Sequence, residues 1–189
     1  MKDNLSSNYL IYPSLYSIRA REIGKDDAEY IYNLRIDDKY NKYLSQVPNG
    51  VEAQRNYIKN YLQENKVKRS SFYFIFENMN TNLRCGTVRV YNFKDDKFEW
   101  GSWILDSNKS HYAALETAIL VYEFSFNSLG FKKSEFEVNK NNTAVINYHK
   151  RCGAKIIGED KTNLYFLMTK KIGLECALNF RDLLESKQT

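Results

Sequence analysis

The sequence has few of the residues that build cross-linked or metal-bound frameworks. Its 189 residues include 3 cysteines and 2 histidines. Cys85, Cys152 and Cys176 are odd in number and widely spaced, and no CxxC pair occurs, so neither a disulfide framework nor a zinc site is favoured. The 8 glycines and 2 prolines are too few for a disordered or fibrous class. We therefore expect a globular protein without a metal.

Long apolar runs are also missing. No segment approaches the roughly 18 consecutive apolar residues that a membrane-spanning helix needs. Residues 1–17 lack the basic start and the apolar stretch of a signal peptide. We therefore expect a cytoplasmic protein without a membrane partner.

Charge of one sign is in only modest excess. The net charge of +5 is dispersed along the chain, so it favours an anionic ligand such as a nucleotide or CoA as readily as a nucleic acid. A nucleic-acid binder is a hypothesis that rests on this mild basicity and on interleaved lysines and tyrosines, which a helix would scatter around its axis. We therefore expect no nucleic-acid partner.

Apolar and aromatic residues, in contrast, are abundant. They make up 43% and 15% of the chain, which is ample for one core at this length. No linker-like segment interrupts the sequence. We expect a single domain over residues 1–189, with a core at 16–170 and a C-terminal helix at 171–189, as a monomer or a homodimer.

Residue periodicity predicts the element order β, α, α, β, β, β, α, β, α, β, β, α. A helix at 24–40 is followed, after a turn at Pro48-Asn49-Gly50, by a helix at 51–65. Three runs rich in aromatic and β-branched residues then predict an antiparallel meander. A long helix at 112–129 stops at Gly130. This order predicts a mixed sheet with helices on both faces, in which ligands bind where strand order or direction switches.

Over residues 16–170 the chain resembles the GNAT superfamily of CoA-dependent N-acyltransferases, particularly the branch of ribosomal-protein N-terminal acetyltransferases. The likeness lies in the element order and in the segments CGTVRVYNF, FEWGSWIL and YEFSFNSLGFKKSEFEVNKNNTAVINYHKRCGAKIIGE. It implies an α/β (α+β) fold with a mixed, mostly antiparallel sheet of about seven strands. It also implies transfer of an acyl group from acetyl-CoA, or a longer acyl-CoA, to a primary amine within a ternary complex.

In this family a loop before the crossover helix, usually Q/R-x-x-G-x-G/A, presents backbone amides to the CoA pyrophosphate. The corresponding stretch, 108–113, reads NKSHYA and has neither glycine. Free N–H groups and the helix dipole attract an anion in general, and an ordinary capped helix start is the alternative. The predicted CoA-binding residues are Ile104, Leu105, Asn108, Lys109, Ser110, His111, Tyr112, Ala113, Asn142 and Tyr148.

A second resemblance lies in the spacing of Asn142, His149 and Gly153. In the family the asparagine contacts pantetheine or adjoining backbone, and the residue at the position of His149 often protonates the departing thiolate. Residues seven apart lie two turns along one helical face, so Asn142 and His149 can line one cleft. The resemblance predicts that His149 is catalytic, and a buried core histidine is the alternative.

Glu99 is the predicted general base. It lies on the strand that faces the acceptor in the family, and burial beside Phe98 and Trp100 would raise its pKa. A solvent-facing glutamate on an alternating strand is the alternative. Glu116, in the first turn of the crossover helix, is a weaker candidate that helix capping explains adequately.

The acceptor is predicted to be a nucleotide-linked amino sugar used in surface-polysaccharide synthesis, because EWGSWIL and a glycine-poor loop resemble variants of that kind. Protein N-termini and small amines are alternative acceptors. A non-catalytic module that binds CoA or a nucleotide sugar is the alternative of another class. The predicted acceptor-binding residues are Arg35, Asp38, Gln54 and Trp100.

Overall fold

The computed structural model describes residues 16–47 and 49–187. Most of the segment for which no signal peptide is expected, and Pro48 of the predicted turn, lie outside these ranges. The strands are β1 (Ile18–Glu22), β2 (Phe72–Asn78), β3 (Arg84–Lys94), β4 (Lys97–Leu105), β5 (Lys133–Asn139), β6 (Lys155–Glu159) and β7 (Asn163–Thr169). The helices are α1 (Ala28–Ile36), α2 (Asp38–Asn41), α3 (Val51–Val67), α4 (Ala113–Glu123), α5 (Thr143–Arg151) and α6 (Lys170–Glu185).

The strands form a 7-stranded sheet in the order β1-β2-β3-β4-β5-β7-β6. β4 and β5 are parallel, and every other neighbouring pair is antiparallel. The predicted mixed, mostly antiparallel sheet is therefore confirmed.

The parallel strands β4 and β5 are paired over a short length only. Lys97 pairs with Lys133 and Phe98 with Ser134, and no further pairing follows although both strands continue. β4 and β5 therefore separate toward their carboxyl ends. This wedge-shaped opening, at the place where strand direction switches, suits a ligand.

Helices cover both faces of the sheet, as alternation along β2 shows. Phe72, Phe74 and Phe76 belong to a core with α4, α5 and α6 on the face that we call the back. Tyr73 and Ile75 belong to a second core with α1 and α3 on the front. Among the described residues, this front core includes none from β4 to β7. The front of those strands is therefore left open.

The first predicted helix is interrupted. A 3-10 turn at Lys25–Asp27 leads into α1, and Asp37 separates α1 from α2. Asp37 has extended backbone, and its carboxylate accepts a hydrogen bond from Lys39 N at 2.8 Å. Aspartate favours such caps over helix interiors. This explains why the structure has two helices where the sequence predicted one.

The crossover helix and the terminal helix also differ in detail from prediction. α4 ends at Glu123 and continues as a π-helical turn, Phe124–Ser128, before Gly130 stops it at φ 77°. α6 packs on α4, and Arg181 donates two hydrogen bonds to Glu123 at 2.8 and 2.6 Å. The packing partner that the sequence did not reveal is thus α4.

Candidate active site

An open cleft of about 890 Å3 lies on the uncovered front of β3, β4, β5 and β7. This volume is in the range of small-molecule sites. Glutamates and polar side chains line it, among them Asn92, Glu99, Glu135, Glu137 and Tyr165. Its walls meet where β4 and β5 begin to separate, so the cleft joins the wedge-shaped opening.

Glu99 lies in this cleft and is held by two donors. Tyr91 Oη donates to Glu99 Oε1 at 2.7 Å, and Asn92 Nδ2 donates to Oε2 at 2.8 Å. Burial and the nearby carboxylate raise the pKa of Tyr91, so its hydroxyl stays protonated and donates. The carboxylate is therefore fixed in orientation, as a general base requires.

The surroundings of Glu99 differ from those predicted. Phe98 and Trp100 point to the back, where both are at most 5% exposed, because neighbouring residues on a strand face opposite sides. Trp100 packs against Tyr122 and His149. Trp100 is therefore away from the acceptor cleft, contrary to the prediction, and it does not bury Glu99.

Glu135 is a second carboxylate in the cleft, and lysines neutralise it. Lys97 bonds it closely, and Lys133 Nζ lies 3.3 Å from its Oε1. These lysines, Lys97 first, lower the pKa of Glu135. Glu135 is thus an ion-pair partner, which leaves Glu99 as the carboxylate held only by neutral donors.

His149 lies beneath the point where β4 and β5 separate. Its ring is 5.3 Å from Trp100 of β4 and 4.4 Å from Phe136 of β5, between ring centroids. The residue is 4% exposed and its Nδ1 is buried without a hydrogen-bond partner. Burial lowers the pKa of His149 to about 3, so the ring is neutral at neutral pH and is not an imidazolium acid in this state.

Tyr148 and Asn142 hold α5 in place. Tyr148 Oη donates to the carbonyl oxygen of Ala114 at 2.9 Å, which ties α5 to the first turn of α4. Asn142 Oδ1 accepts from Val145 N at 3.3 Å as the N-cap of α5. Both side chains therefore shape the opening, and this structure gives each of them a structural partner.

The turn before α4 carries unpaired amides. Within the described residues, the N–H groups of Ser110, His111, Tyr112 and Ala114 have no hydrogen-bond acceptor, and no side chain caps the helix. The helix start therefore lacks a side-chain cap, and the phosphate-binding role of the turn stays a prediction. Lys109 is exposed beside these amides. Free amides at a helix N-terminus next to a cation suit a phosphate.

The turn is rigid although it contains no glycine. Asp106 Oδ1 accepts from Asn108 N at 2.7 Å, and the Asn108 side chain donates to the carbonyl oxygen of Arg84 at 3.1 Å. Ser17 Oγ bonds Ser110 Oγ at 2.6 Å. These bonds hold the backbone in a conformation that glycines usually provide. The unpaired N–H groups therefore stay together at the helix start.

The end of β4 is fixed by close approach to β3. Ile104 pairs with Thr87 and Leu105 with Gly86. A β-carbon on Gly86 would lie 2.4 Å from the Ile104 carbonyl oxygen, so only glycine fits there. Ile104 and Leu105 thus lead directly into the turn, as the predicted CoA-binding set requires.

Glu116 has a role that the sequence did not indicate. It is 1% exposed and accepts hydrogen bonds from Ser17 N at 2.9 Å and Ile18 N at 3.1 Å. It therefore anchors β1 rather than capping α4 or acting in the site.

The predicted acceptor-binding residues of the first helices are dispersed. Asp38 is exposed at the start of α2, and Gln54 is 2% exposed inside the front core. Arg35 reaches β4, where its Nη1 lies 3.3 Å from Ser102 Oγ. Of these three, Arg35 is hydrogen-bonded to a strand that lines the cleft.

Sequence reasoning missed Tyr91, Asn92 and Ser102. A hairpin turn at Asp95-Asp96 would have placed residues 91–92 opposite Glu99, and this signal was available. Ser102 has a φ of 49° in a bulge of β4, which no local pattern predicts.

Three features of the fold and site characterise this class of protein. They are a mixed sheet with a splayed parallel pair, free amides at a helix N-terminus, and a polar cleft around a fixed glutamate. The chain matches the family described as "Acetyltransferase (GNAT) domain" over residues 18–155. The chain belongs to this family. It is an acyl-CoA-dependent N-acyltransferase, and the family implies acetyl-CoA as co-substrate. The predicted family and enzyme class are confirmed, and the non-catalytic alternative is wrong.

Solved structures agree with this assignment. FdhC, described as a nucleotide-linked sugar GNAT, is 38% identical over 87% of this chain and 93% of its own, with a TM-score of 0.80. Spermidine N-acetyltransferase from Vibrio cholerae, with CoA and spermine, is 14% identical over 83% of this chain and 98% of its own, with a TM-score of 0.71. Ribosomal-protein-S5-alanine acetyltransferase from Vibrio fischeri is 15% identical over 83% of this chain and 95% of its own, with a TM-score of 0.70. The last two show the fold alone. No curated protein sequence matches significantly.

Two further features concern the part of the chain that the structure describes. In residues 16–47 and 49–187, no helix is long and apolar enough to cross a membrane. Over the same part of the chain, no group of three or more His, Cys, Asp or Glu side chains is placed to hold a metal ion.

Proposed function

We propose that this enzyme transfers an acyl group from acetyl-CoA, or a longer acyl-CoA, to the amino group of a nucleotide-linked amino sugar in surface-polysaccharide synthesis. One observation supports the acceptor class most strongly. The described nucleotide-linked sugar GNAT shares 38% identity over 87% of the chain, whereas the spermidine and ribosomal-protein enzymes share 14% and 15%.

The donor site in this proposal is the turn before α4. The amides of Ser110, His111 and Tyr112 would hold the CoA pyrophosphate, with Lys109 adding charge. The unpaired state of these amides supports the assignment, because N–H groups at a helix start that lack a cap are available to a ligand. Bound acyl-CoA supplies the acyl group as a thioester.

The acceptor amine is activated by Glu99. An ammonium must lose a proton before it can attack, and Glu99 is oriented by Tyr91 and Asn92 to accept that proton. The acyl group passes directly to the amine within a ternary complex, because buried cysteines offer no accessible nucleophile.

The proposed role of His149 is more limited than protonation of the departing thiolate. A neutral imidazole carries one N–H, which can donate a hydrogen bond to a thiolate in the opening between β4 and β5. A negative charge there would favour the protonated ring. We therefore propose that His149 stabilises the leaving thiolate.

A second candidate acceptor is a small polyamine. The acidic side chains Glu99 and Glu137 in the cleft favour a cationic ligand. The ion pairs of Glu135 with Lys97 and Lys133 weaken this attraction.

The experiment that tests the proposal compares acceptors by release of free CoA and by product mass. The acceptors are nucleotide-linked 3-amino and 4-amino sugars, the corresponding free amino sugars, spermidine, and the N-terminal peptide of ribosomal protein S5. We expect kcat/KM to be highest for a nucleotide-linked sugar, by about a hundredfold, and Glu99→Gln to lose this activity. A higher value for spermidine or the peptide would reject the proposed acceptor.

A further inference from the structure

Two arginines on the front of the sheet have no carboxylate partner among residues 16–47 and 49–187. Arg35 of α1 is 8% exposed. Its Nη2 donates to the carbonyl oxygen of Ser45 at 2.6 Å and to Ser45 Oγ at 3.0 Å, and its Nη1 to Ser102 Oγ at 3.3 Å. Its Nε is buried without a partner. Every partner of this buried cation is neutral.

Arg89 of β3 is half-buried, and its hydrogen-bond partners are also neutral. Its Nη1 donates to Tyr57 Oη at 2.8 Å, and its Nη2 lies 3.5 Å from Ser71 Oγ. Its Nε is also buried without a partner. By contrast, Arg21 and Arg181 each pair with a carboxylate. Arg35 and Arg89 are therefore exceptional among the buried and half-buried arginines.

The two guanidinium groups share one region beneath α1 and α3. Arg89 pairs with Gly101 across β3 and β4, and Arg35 bonds Ser102, the next residue along β4. The Arg89 guanidinium lies 5.8 Å from the Tyr61 ring and 5.3 Å from the Tyr91 ring. Both cations are therefore close to the same buried surface.

Two carboxylates on this part of the sheet are engaged elsewhere. Glu22 pairs with Arg69 at 3.1 Å, and Glu99 is bonded by Tyr91 and Asn92. Two cations with unused donors and no counter-charge are costly in a buried setting. A bound anion removes that cost, and planar guanidinium groups recognise phosphate oxygens well.

The position of the pair relates it to the acceptor. Arg89 stacks on the ring of Tyr91, whose hydroxyl bonds Glu99. Arg35 bonds Ser102, in the bulge of β4 on the way to the donor turn. The two arginines thus lie beside the cleft on the front of the sheet. The free amides that suit CoA lie at the N-terminus of α4, which packs on the back.

We propose that Arg35 and Arg89 form a diphosphate-binding site that holds the nucleotide-linked end of the acceptor while its amine reaches Glu99. This inference rests on the proposed function and names the group that the site recognises.

The test measures binding of thymidine diphosphate and uridine diphosphate to protein saturated with CoA, by isothermal titration calorimetry. Saturation with CoA occupies the donor turn, so that a nucleotide cannot bind there unnoticed. The variants are Arg89→Met and Arg35→Lys, and Arg55→Met is the control because it removes one positive charge from the exposed side of α3. Tyr57→Phe, which removes only the hydroxyl that orients Arg89, is the further variant if the arginine variants do not fold.

We expect the site variants to weaken nucleotide binding by about tenfold or more and the control to bind as the wild type does. KM for the nucleotide-linked amino sugar should rise by a similar factor with little change in kcat, and KM for the free amino sugar should not change. Equal binding by all variants, or binding that CoA abolishes, would overturn the diphosphate site even if the sugar is acylated. Binding that depends on the arginines, with no acylation of any nucleotide-linked sugar, would support the anion site and reject the proposed acceptor.

Discussion

Glu99 shows how two neighbours prepare one side chain for chemistry. Hydrogen bonds from Tyr91 and Asn92 fix the orientation of its carboxylate, since each donor engages a different oxygen. Asn92 donates from a left-handed backbone conformation, φ 53°, which asparagine tolerates better than most residues. The proposed base is therefore positioned by the hairpin between β3 and β4.

Tyr91→Phe should lower kcat by roughly tenfold, with little change in KM for acyl-CoA, because the Glu99 carboxylate loses one of the two donors that fix its orientation. Steady-state rates are measured with saturating acyl-CoA, and Tyr32→Phe, which removes an exposed hydroxyl that bonds Asn49, is the control. An unchanged kcat in Tyr91→Phe would contradict the positioning role.

His149 should make the protein less stable in acid. Because the folded state holds the pKa at about 3 and the unfolded value is about 6.5, the unfolded chain binds more protons between these values, and stability falls as pH drops through this window. From about pH 7 to pH 5 the loss should be about 2 kcal/mol, or roughly 4–8 °C in Tm. His149→Phe should lose most of this pH-dependent difference.

The control for that comparison is Phe136→Leu, which alters a ring in contact with His149 and adds no titrating group. It should lower Tm at both pH values and keep the difference between them. If His149→Phe retains the full difference, the ring is not held neutral by burial.

Helix α4 begins with unpaired amides although the turn before it contains no glycine. The backbone of the turn is held by Asp106, Asn108 and Ser110 through the side-chain bonds described above, which replace the conformational freedom of glycine. The helix start is left without a cap. A ligand anion would supply the missing acceptor.

His111→Asp should separate helix stability from CoA binding. A carboxylate at a helix N-terminus stabilises the helix by about 0.3–1 kcal/mol, but it repels a pyrophosphate and competes for the same amides. We expect the Kd for CoA to rise about tenfold or more, while Tm without ligand stays equal or rises. Thermal-shift titration measures both, with neutral His111→Asn as the control. Undiminished CoA binding by His111→Asp would place the pyrophosphate elsewhere.

The chain as a unit supports direct transfer between two bound substrates. Cys85, Cys152 and Cys176 are buried. Burial first, and then nearby acidic groups, raise the pKa of Cys85 to about 12. Hydrogen bonding to Cys176 and burial raise the pKa of Cys152. A thiolate that could carry the acyl group is therefore scarce at these two positions at neutral pH.

Initial-rate kinetics should give intersecting double-reciprocal lines for acyl-CoA and amine. Parallel lines would indicate a covalent acyl-enzyme instead. Cys152→Ala should retain kcat within a factor of about three, because the thiol serves only packing. A loss of chemistry in Cys152→Ala, without loss of stability, would revive a covalent route.

Much of the architecture could be predicted, because it follows from local patterns. The strand and helix order, the stop at Gly130 and the placement of Asn142 and His149 on one helix all follow from periodicity and terminal signals. The break at Asp37 was missed, because an aspartate at a cap and an aspartate inside a helix differ little in free energy. The opposite faces of Glu99 and Trp100 could have been predicted from alternation along β4.

The sequence therefore sufficed for what depends on nearby residues: the element order, the family resemblance, and a helix start with a turn ahead of it. Contacts between distant segments required the fold. They separate β4 from β5, bury His149 against both strands, attach Glu116 to β1, and gather Arg35 and Arg89 without counter-charges. Such features depend on which faces pack together and on how far strands splay, and these are fixed by the combined packing of the whole core rather than by any local run of residues.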